Sequence, residues 1–277
     1  MERRIFQHGD FQLEYGILGT GSVPILCFHG FGRPLEDMYL FSQILAEGEY
    51  IVSAHLFHHG NSSWSKSLEN KEGLSPSAFA MFIDEFMLFL KTEEYRLIGY
   101  SLGGRICMNL FLERSDRIDK MLLVAPDGLY KNPFYVWSIK SYLGRKLFSS
   151  LINNPKPLLD LVNFLRLIRL FPVKLHRFIH VHMGANKTTE ERARILSSWT
   201  TFVQFFPDLN QLVKLLKTEE VNFSLILGEF DSVIKKKYAN KLIDAGQDPS
   251  SIHYLNSGHL LLNEKTIQHI QTSQLWN

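Results

Sequence analysis

The stretch Leu97-Ile98-Gly99-Tyr100-Ser101-Leu102-Gly103-Gly104 decides the fold that this sequence predicts. An apolar run precedes the serine and a helical pattern follows it, so the spacing Gly-x-Ser-x-Gly favours a sharp turn from a strand into a helix. Gly99 and Gly103 allow the backbone to pass close by, and Ser101 is then held exposed in a strained conformation. The backbone N–H of Leu102 faces the same spot from the helix N-terminus. Ser101 is therefore a candidate nucleophile.

Apolar runs on either side of this turn alternate with helical patterns. They predict strands at residues 5–8, 11–17, 23–28, 51–54, 95–99, 118–125, 223–227 and 251–255. Several of these runs are continuous, which is typical of strands buried on both faces. Helices are predicted at 76–90, with Ser75 as N-cap, and at 102–114. This order indicates an α/β fold whose mostly parallel central sheet is covered by helices on both faces.

The alternation stops at Pro126-Asp127-Gly128, after the sixth predicted strand, and a long segment with helical periodicity follows. Between residues 128 and 189 there are ten lysine and arginine residues and one acidic residue, although the net charge of the whole chain is +2. This shift in composition marks an insertion. The sequence therefore predicts an α/β core at 1–127 and 216–277 and a helical cap, or lid, at 128–215.

Residues 158–171 form the most distinctive pattern of the predicted cap. A narrow polar ridge recurs every three residues, at Asp160, Asn163, Arg166 and Arg169. The other positions are almost all apolar, and 14 residues followed by Pro172 are too few to span a bilayer. We favour a lid helix whose apolar face lies over a substrate site. The alternative is an interfacial helix in peripheral contact with anionic lipid.

The composition is that of an ordinary globular protein: 277 residues, of which 45% are hydrophobic and 21% charged. Cys27 and Cys107 lie inside apolar runs, where buried thiols are expected rather than a disulfide or metal ligands. The first ten residues lack the apolar core of a signal peptide, and no apolar run has the roughly 18–20 residues of a membrane span. The sequence therefore predicts a soluble cytoplasmic protein, and it leaves the oligomeric state open.

A serine nucleophile needs a base in contact, usually a histidine that a carboxylate orients. Gly228-Glu229-Phe230-Asp231 follows one predicted strand, and Asn256-Ser257-Gly258-His259 follows the next. Because the carboxyl ends of parallel strands converge on one edge of the sheet, Ser101, Asp231 and His259 can meet there. Asp127 also follows a strand and is the alternative acid, although it is equally well explained as a turn or helix-cap residue.

Taken together, these motifs resemble the α/β-hydrolase superfamily over nearly the whole chain. The resemblance rests on His29-Gly30-Phe31-Gly32, the Gly-x-Ser-x-Gly turn, Gly-x-x-Asp at 228–231 and Gly258-His259, in that order. It implies that Ser101 is the nucleophile, Asp231 the orienting acid (in preference to Asp127) and His259 the base. The backbone N–H groups of Phe31 and Leu102 would form the oxyanion hole, and His29 would be a structural histidine beside it.

The chain departs from the family where members often carry Asp-x-x-Gly-His-Gly-x-Ser. The matching stretch here is His55-Leu56-Phe57-His58-His59-Gly60-Asn61-Ser62, so His55 stands in place of the Asp and His58 in place of a Gly. We interpret this loop as part of the rim of the site. Its histidines, and His176, His180 and His182 in the predicted cap, make only a weak case for a metal, so we expect neither metal nor cofactor.

The chemistry expected from these residues is hydrolysis of a carboxylic ester or thioester that has an apolar acyl part. The positive charge of the predicted cap has two interpretations: it attracts a substrate that carries an anionic group, or it is a solvated face without a role in binding. The partner is a small-molecule substrate and not a nucleic acid. Two alternatives use the same fold. One is a C–C bond hydrolase or lyase in which the triad acts as a base, and the other is a receptor that binds a small molecule without turning it over.

Overall fold

Nine strands form a single mixed sheet in the computed structural model, which describes residues 2–67, 72–170, 173, 176, 180 and 188–276. The strands are β1 (Arg3–His8), β2 (Phe11–Leu18), β3 (Val23–Phe28), β4 (Glu49–Ala54), β5 (Ser63–Trp64), β6 (Arg96–Tyr100), β7 (Lys120–Val124), β8 (Asn222–Gly228) and β9 (Ile252–Leu255). Their spatial order is β1-β2-β4-β3-β6-β7-β8-β9, and β5 pairs with β2. β2 runs antiparallel to its neighbours, and the strands from β4 to β9 along this order run parallel. The predicted α/β fold with a mostly parallel sheet is confirmed.

Nine α-helices lie within the described residues. They are α1 (Pro76–Phe89), α2 (Leu102–Glu113), α3 (Pro133–Lys140), α4 (Tyr142–Asn153), α5 (Lys156–Leu167), α6 (Thr189–Thr201), α7 (Leu209–Thr218), α8 (Asn240–Asp244) and α9 (Glu264–Thr272). Helix α1 begins as predicted, because the Ser75 side chain accepts a hydrogen bond from the Ala78 N–H at 3.2 Å. Such caps satisfy backbone donors that have no partner within the helix. No helix among the described residues is long and apolar enough to cross a membrane.

The core lies against the central parallel strands. Every residue of β7 is buried, and so are five of the six residues of β3, which explains why the sequence shows continuous apolar runs there. Ile25, Ile98, Leu122 and Ile226 come from four adjacent strands and are all fully buried in one cluster. Each such side chain contributes about 1.5–3 kcal/mol by burial. The packing of these strands fixes the positions at which their carboxyl ends emerge.

Two compact units divide the chain. The first comprises Met1–Ser65, Leu74–Lys131 and Gln204–Asn277, and the whole sheet belongs to it. The second comprises Lys66–Gly73 and Asn132–Val203 and includes helices α3 to α6. That residues 128–215 act as a cap over a substrate site stays a prediction.

Helix α5 of the second unit ends earlier than the sequence suggested. It stops at Leu167, because Arg169 adopts a left-handed conformation with φ of 60° and the Leu170 N–H turns back to the Leu165 C=O at 2.9 Å. Phe171, the predicted end of that helix, and Pro172, which follows it, lie outside the described residues. The polar ridge therefore does not continue along one helix as far as Arg169.

Two histidines of the predicted cap, His176 and His180, share one amide oxygen, and their ring centroids lie 4.4 Å apart. The rings of His176 and His180 both donate through Nε2 to the Asn163 side-chain oxygen, at 2.9 and 2.8 Å. His182 lies outside the described residues. No group of three His, Cys, Asp or Glu side chains that could hold a metal ion occurs in the described part of the chain.

Candidate active site

Ser101 lies in a strained turn between β6 and α2. Its backbone has φ 52° and ψ −116°, a region that residues other than glycine rarely adopt. Hydrogen bonds fix the turn on both sides, since the Ser101 N–H donates to Val124 O at 3.0 Å and the Asp127 N–H donates to Ser101 O at 2.8 Å. The strain is thus held in place by the neighbouring strand end, and it directs the Oγ out of the turn.

The two glycines of the motif allow helix α2 to pack against the ends of the strands. A Cβ atom at position 99 would lie 2.7 Å from Cys107 Sγ and 2.7 Å from the carbonyl oxygen of Gly103. A Cβ atom at Gly103 would overlap the carbonyl group of Phe28. Larger residues would push the helix away from the sheet, so the glycines are required by close backbone approach.

A chain of hydrogen bonds joins the three predicted triad residues. Ser101 Oγ lies 3.1 Å from His259 Nε2, and His259 Nδ1 lies 2.7 Å from Asp231 Oδ2. Because a carboxylate accepts and does not donate, His259 carries a proton at Nδ1 and its Nε2 accepts from the serine hydroxyl. Both distances are within the reach that nucleophilic activation requires.

The carboxylate of Asp231 is buried and held by its own loop. Its side chain has no exposed surface, and Oδ1 accepts from the backbone N–H groups of Val233 at 2.7 Å and Ile234 at 2.9 Å. These donors leave Oδ2 facing His259. The loop that carries it is tied to the His259 loop, since the Phe230 N–H donates to Ser257 O at 3.0 Å.

The imidazole of His259 is also positioned from β6. Tyr100 donates its hydroxyl to His259 O at 2.9 Å, and the two rings lie 5.5 Å apart. Burial raises the pKa of Tyr100 to about 12, so the phenol keeps the proton that it donates. The residue immediately before the serine therefore holds the backbone of the histidine that contacts the serine.

Asp127, the alternative acid, contacts a different partner. Its Oδ2 pairs with the guanidinium of the buried Arg105, and its Oδ1 accepts from the Gly128 N–H at 2.7 Å. The structure thus brings Asp231, and not Asp127, to the ring of His259. Arg105 was not predicted as a partner of this carboxylate; it lies on α2 four residues after Ser101, one helical turn further on.

The two predicted oxyanion donors belong to the segments next to the serine. Leu102 is the first residue of α2, and the N–H groups of a first helical turn have no acceptor within the helix. Phe31 lies in the loop after β3, which passes the serine closely: a Cβ atom at Gly30 would lie 3.2 Å from the Ser101 Cβ. This arrangement suits a negative charge that develops next to Ser101 Oγ.

Comparisons with known proteins agree with this architecture. The family model described as alpha/beta hydrolase fold matches residues 23–266. A curated relative, the dihydrolipoyllysine-residue acetyltransferase component of the acetoin cleaving system of Cupriavidus necator, is 28% identical over 117 residues, which make up 42% of this chain and 30% of the relative. The chain spans less than two-fifths of the length of several curated relatives that it matches.

Solved structures resemble the chain along nearly its whole length. An alpha/beta hydrolase enzyme from a Medee basin deep-sea metagenome library is 14% identical, with a TM-score of 0.66 and coverage of 98% of this chain and 95% of that one. A thermophilic esterase from Thermogutta terrifontis is 17% identical, with a TM-score of 0.65 and coverage of 100% and 98%. At these identities the likeness shows a shared fold.

Proposed function

Because this chain belongs to the family with the α/β hydrolase fold, we propose that it hydrolyses a carboxylic ester or thioester through an acyl-enzyme on Ser101. The observation that carries the proposal is the hydrogen-bond chain from Ser101 through His259 to Asp231. A serine hydroxyl is a weak nucleophile until a base removes its proton, and this chain supplies the base in the required tautomer. The esterase among the structural neighbours adds support.

The reaction proceeds in two halves. Ser101 Oγ attacks the carbonyl carbon while His259 Nε2 takes the hydroxyl proton, and Asp231 stabilises the resulting imidazolium. The N–H groups of Phe31 and Leu102 stabilise the oxyanion, typically by about 3–4 kcal/mol per donor. His259 then gives its proton to the leaving alcohol or thiol. Water attacks the acyl-serine in the same way, and the carboxylic acid is released.

Covalent labelling tests the nucleophile. Ser101 Oγ is expected to attack the phosphorus of a fluorophosphonate probe, while His259 takes the hydroxyl proton and fluoride leaves to solvent. The phosphonyl group that stays on Ser101 is read by mass spectrometry of the peptide that contains it. Heat-denatured protein is the control, because the hydrogen bond that activates the hydroxyl needs the fold. Simple aryl esters should also be turned over.

If Ser101 is not labelled, the proposed acyl-enzyme mechanism is wrong. That result would favour one of the two other uses of this fold, a lyase or C–C hydrolase in which His259 acts as a base, or a receptor. The two are then separated by turnover, since a receptor binds its ligand and does not convert it.

Exposed apolar side chains flank the triad and support an apolar acyl group. Phe230 and Leu260, the neighbours of Asp231 and His259 in the sequence, are 67% and 71% exposed, and Val233 is 51% exposed. Exposed apolar patches often mark binding surfaces. Lys131 contributes a positive charge in the same unit, where its ammonium group lies 5.4 Å from the ring of Phe206.

A series of aryl esters tests the substrate class. We expect kcat/KM to rise from acetyl to octanoyl esters, by up to about fourfold for each methylene that becomes buried. For an ester whose acyl chain has the same length but ends in a carboxylate, we expect a further rise in kcat/KM at low salt. This rise should disappear at high salt. A preference for acetyl esters without any dependence on salt would contradict this assignment.

A further inference from the structure

Glu14, His55 and His29 form a row of ionisable side chains across neighbouring strand ends. The pairing of β4 with β2 on one side and with β3 on the other brings them together. They are only 2%, 4% and 0% exposed. Buried ionisable groups are costly unless each has a partner, so the contacts among these three require an explanation.

Each member of the row contacts the next. Nε2 of His55 lies 3.7 Å from Glu14 Oε2, and Nδ1 of His55 lies 2.9 Å from His29 Nε2. Nδ1 of His29 in turn lies 2.7 Å from the carbonyl oxygen of Gly30. The row therefore begins at a carboxylate on β2 and ends at the backbone of the loop that carries Phe31.

The acceptors at the two ends determine where the protons lie. A carbonyl oxygen can only accept, so His29 carries a proton at Nδ1 and donates it to Gly30. Burial, with a further effect of the nearby His59, holds the pKa of His29 well below its usual range, so this ring is neutral and its Nε2 is an acceptor. The Leu56 N–H donates to that nitrogen at 3.2 Å, and His55 must donate to it through Nδ1.

The carboxylate of Glu14 faces Nε2 of His55 and is held there by its own contacts. This carboxylate accepts from the backbone and side chain of Asn61 at 2.8 and 3.1 Å, and the guanidinium of Arg3 lies 3.6 Å away. A Cβ atom at Gly60 would overlap this carboxylate and would lie 2.9 Å from His55 Nε2. The carboxylate thus lies on the Nε2 side of the His55 ring, at 3.7 Å, and leaves Nδ1 facing His29.

The contact with Gly30 fixes the direction of the next N–H. The peptide between Gly30 and Phe31 is planar and trans, so its C=O and N–H point in opposite directions. Gly30 O accepts from His29 and also from the Arg33 N–H at 3.2 Å. On the other side of Phe31, the Gly32 N–H donates to His59 Nε2 at 2.9 Å. The Phe31 N–H therefore points away from His29.

We propose that Glu14 and His55 are positioning residues for the oxyanion hole. Together they hold His29 in the tautomer that fixes the Gly30–Phe31 peptide and thereby direct the Phe31 N–H towards the oxyanion. The catalytic part of this inference rests on the proposed hydrolase function, whereas the proton positions in the row do not. Where the family often has an aspartate, this chain uses a histidine that donates and a glutamate from another strand.

Variants of His55 distinguish the effect of its hydrogen-bond donor from that of the rest of the side chain. His55→Leu removes the donor to His29 and is expected to lower kcat by about 10- to 100-fold with little change in KM, because the oxyanion forms only during the reaction. In His55→Asn the amide nitrogen replaces Nδ1 as the donor, so activity should recover to within about fivefold of the wild type. The kcat of Glu14→Gln should lie between those of His55→Leu and His55→Asn.

The matched control is His8→Asn, the same exchange at an exposed histidine of β1 that lies 3.9 Å from the carboxylate of Glu85. It is expected to change kcat by less than about twofold, since surface or loop substitutions away from a buried network have small effects. If His55→Leu fails to fold, Glu14→Gln and His55→Asn give the same comparison with smaller expected effects. Equal kcat values for the His55 variants, Glu14→Gln and the control would overturn the proposal.

Nitrogen-15 NMR of the histidine rings provides a readout that does not require turnover. In the wild type we expect His29 to be protonated at Nδ1 and unprotonated at Nε2, and His55 to carry a proton at Nδ1. A proton on Nε2 of His29 would overturn the proposal whatever the kinetics show. If the wild type hydrolyses no ester, the proposed function fails, and the ring spectra still decide whether Glu14 and His55 fix the tautomer of His29.

Discussion

Replacing Ser101 with alanine is expected to lower kcat for an aryl ester by about 10⁴- to 10⁶-fold, with KM little changed. The Oγ that His259 contacts at 3.1 Å is the atom that bonds to the substrate in the proposed mechanism, and alanine offers no substitute for it. The residual rate would come from binding and from the oxyanion donors alone. Steady-state kinetics measures the loss of kcat, and phosphonate labelling of the same preparation measures the loss of the nucleophile.

The matched control for this variant is Ser75→Ala. Ser75 also lies immediately before a helix, but its Oγ caps α1 by accepting from the Ala78 N–H. Its loss should cost about 1 kcal/mol of stability and leave kcat unchanged. If Ser101→Ala kept more than a tenth of the wild-type kcat, the acyl-enzyme would be wrong and a base-catalysed reaction through His259 would take its place.

Asp231→Asn is expected to lower kcat by about 10⁴-fold while the fold is retained. The N–H groups of Val233 and Ile234 require an oxygen at the position of Oδ1. The asparagine amide would therefore present its NH₂ group to His259 Nδ1, which must then become the acceptor. The ring would carry its proton at Nε2, facing Ser101, and could no longer accept the serine proton.

Asp127→Asn is the comparison that assigns the acid. This carboxylate pairs with Arg105, whose side chain is buried, so the variant should lower the melting temperature. We expect it to reduce kcat by less than about tenfold, because the Asp127 contact with the serine is made by its backbone N–H. The reverse pattern, a large loss in Asp127→Asn and a small one in Asp231→Asn, would assign the acid to Asp127.

Much of the fold follows from the sequence, because buried parallel strands require continuous apolar runs. Those runs locate β3, β4, β6, β7, β8 and β9. The residues that follow these parallel strands lie together at one edge of the sheet. The two-residue strand β5 was not predicted, since Ser63–Trp64 is too short to show a period. With β5 counted, the strand before the helical segment is the seventh.

The row from Glu14 to His29 could not be predicted from the sequence. Glu14 and His55 are neighbours because β2 pairs with β4 in the register that places Tyr15 opposite Ala54. An apolar pattern indicates which residues are strands, but it does not determine which strands pair or in what register. The contact between Arg105 and Asp127 was missed for a similar reason, as it depends on how α2 packs against the end of β7.

The backbone of Ser101 has a consequence for laboratory evolution. At φ 52° a residue with a side chain costs about 1–2 kcal/mol relative to glycine, so Ser101→Gly would relieve strain while removing the proposed nucleophile. A screen that rewards thermal tolerance alone would enrich that inert sequence. Selection for thermostable variants therefore has to measure turnover in every round, because at position 101 stability favours glycine and the proposed activity requires serine.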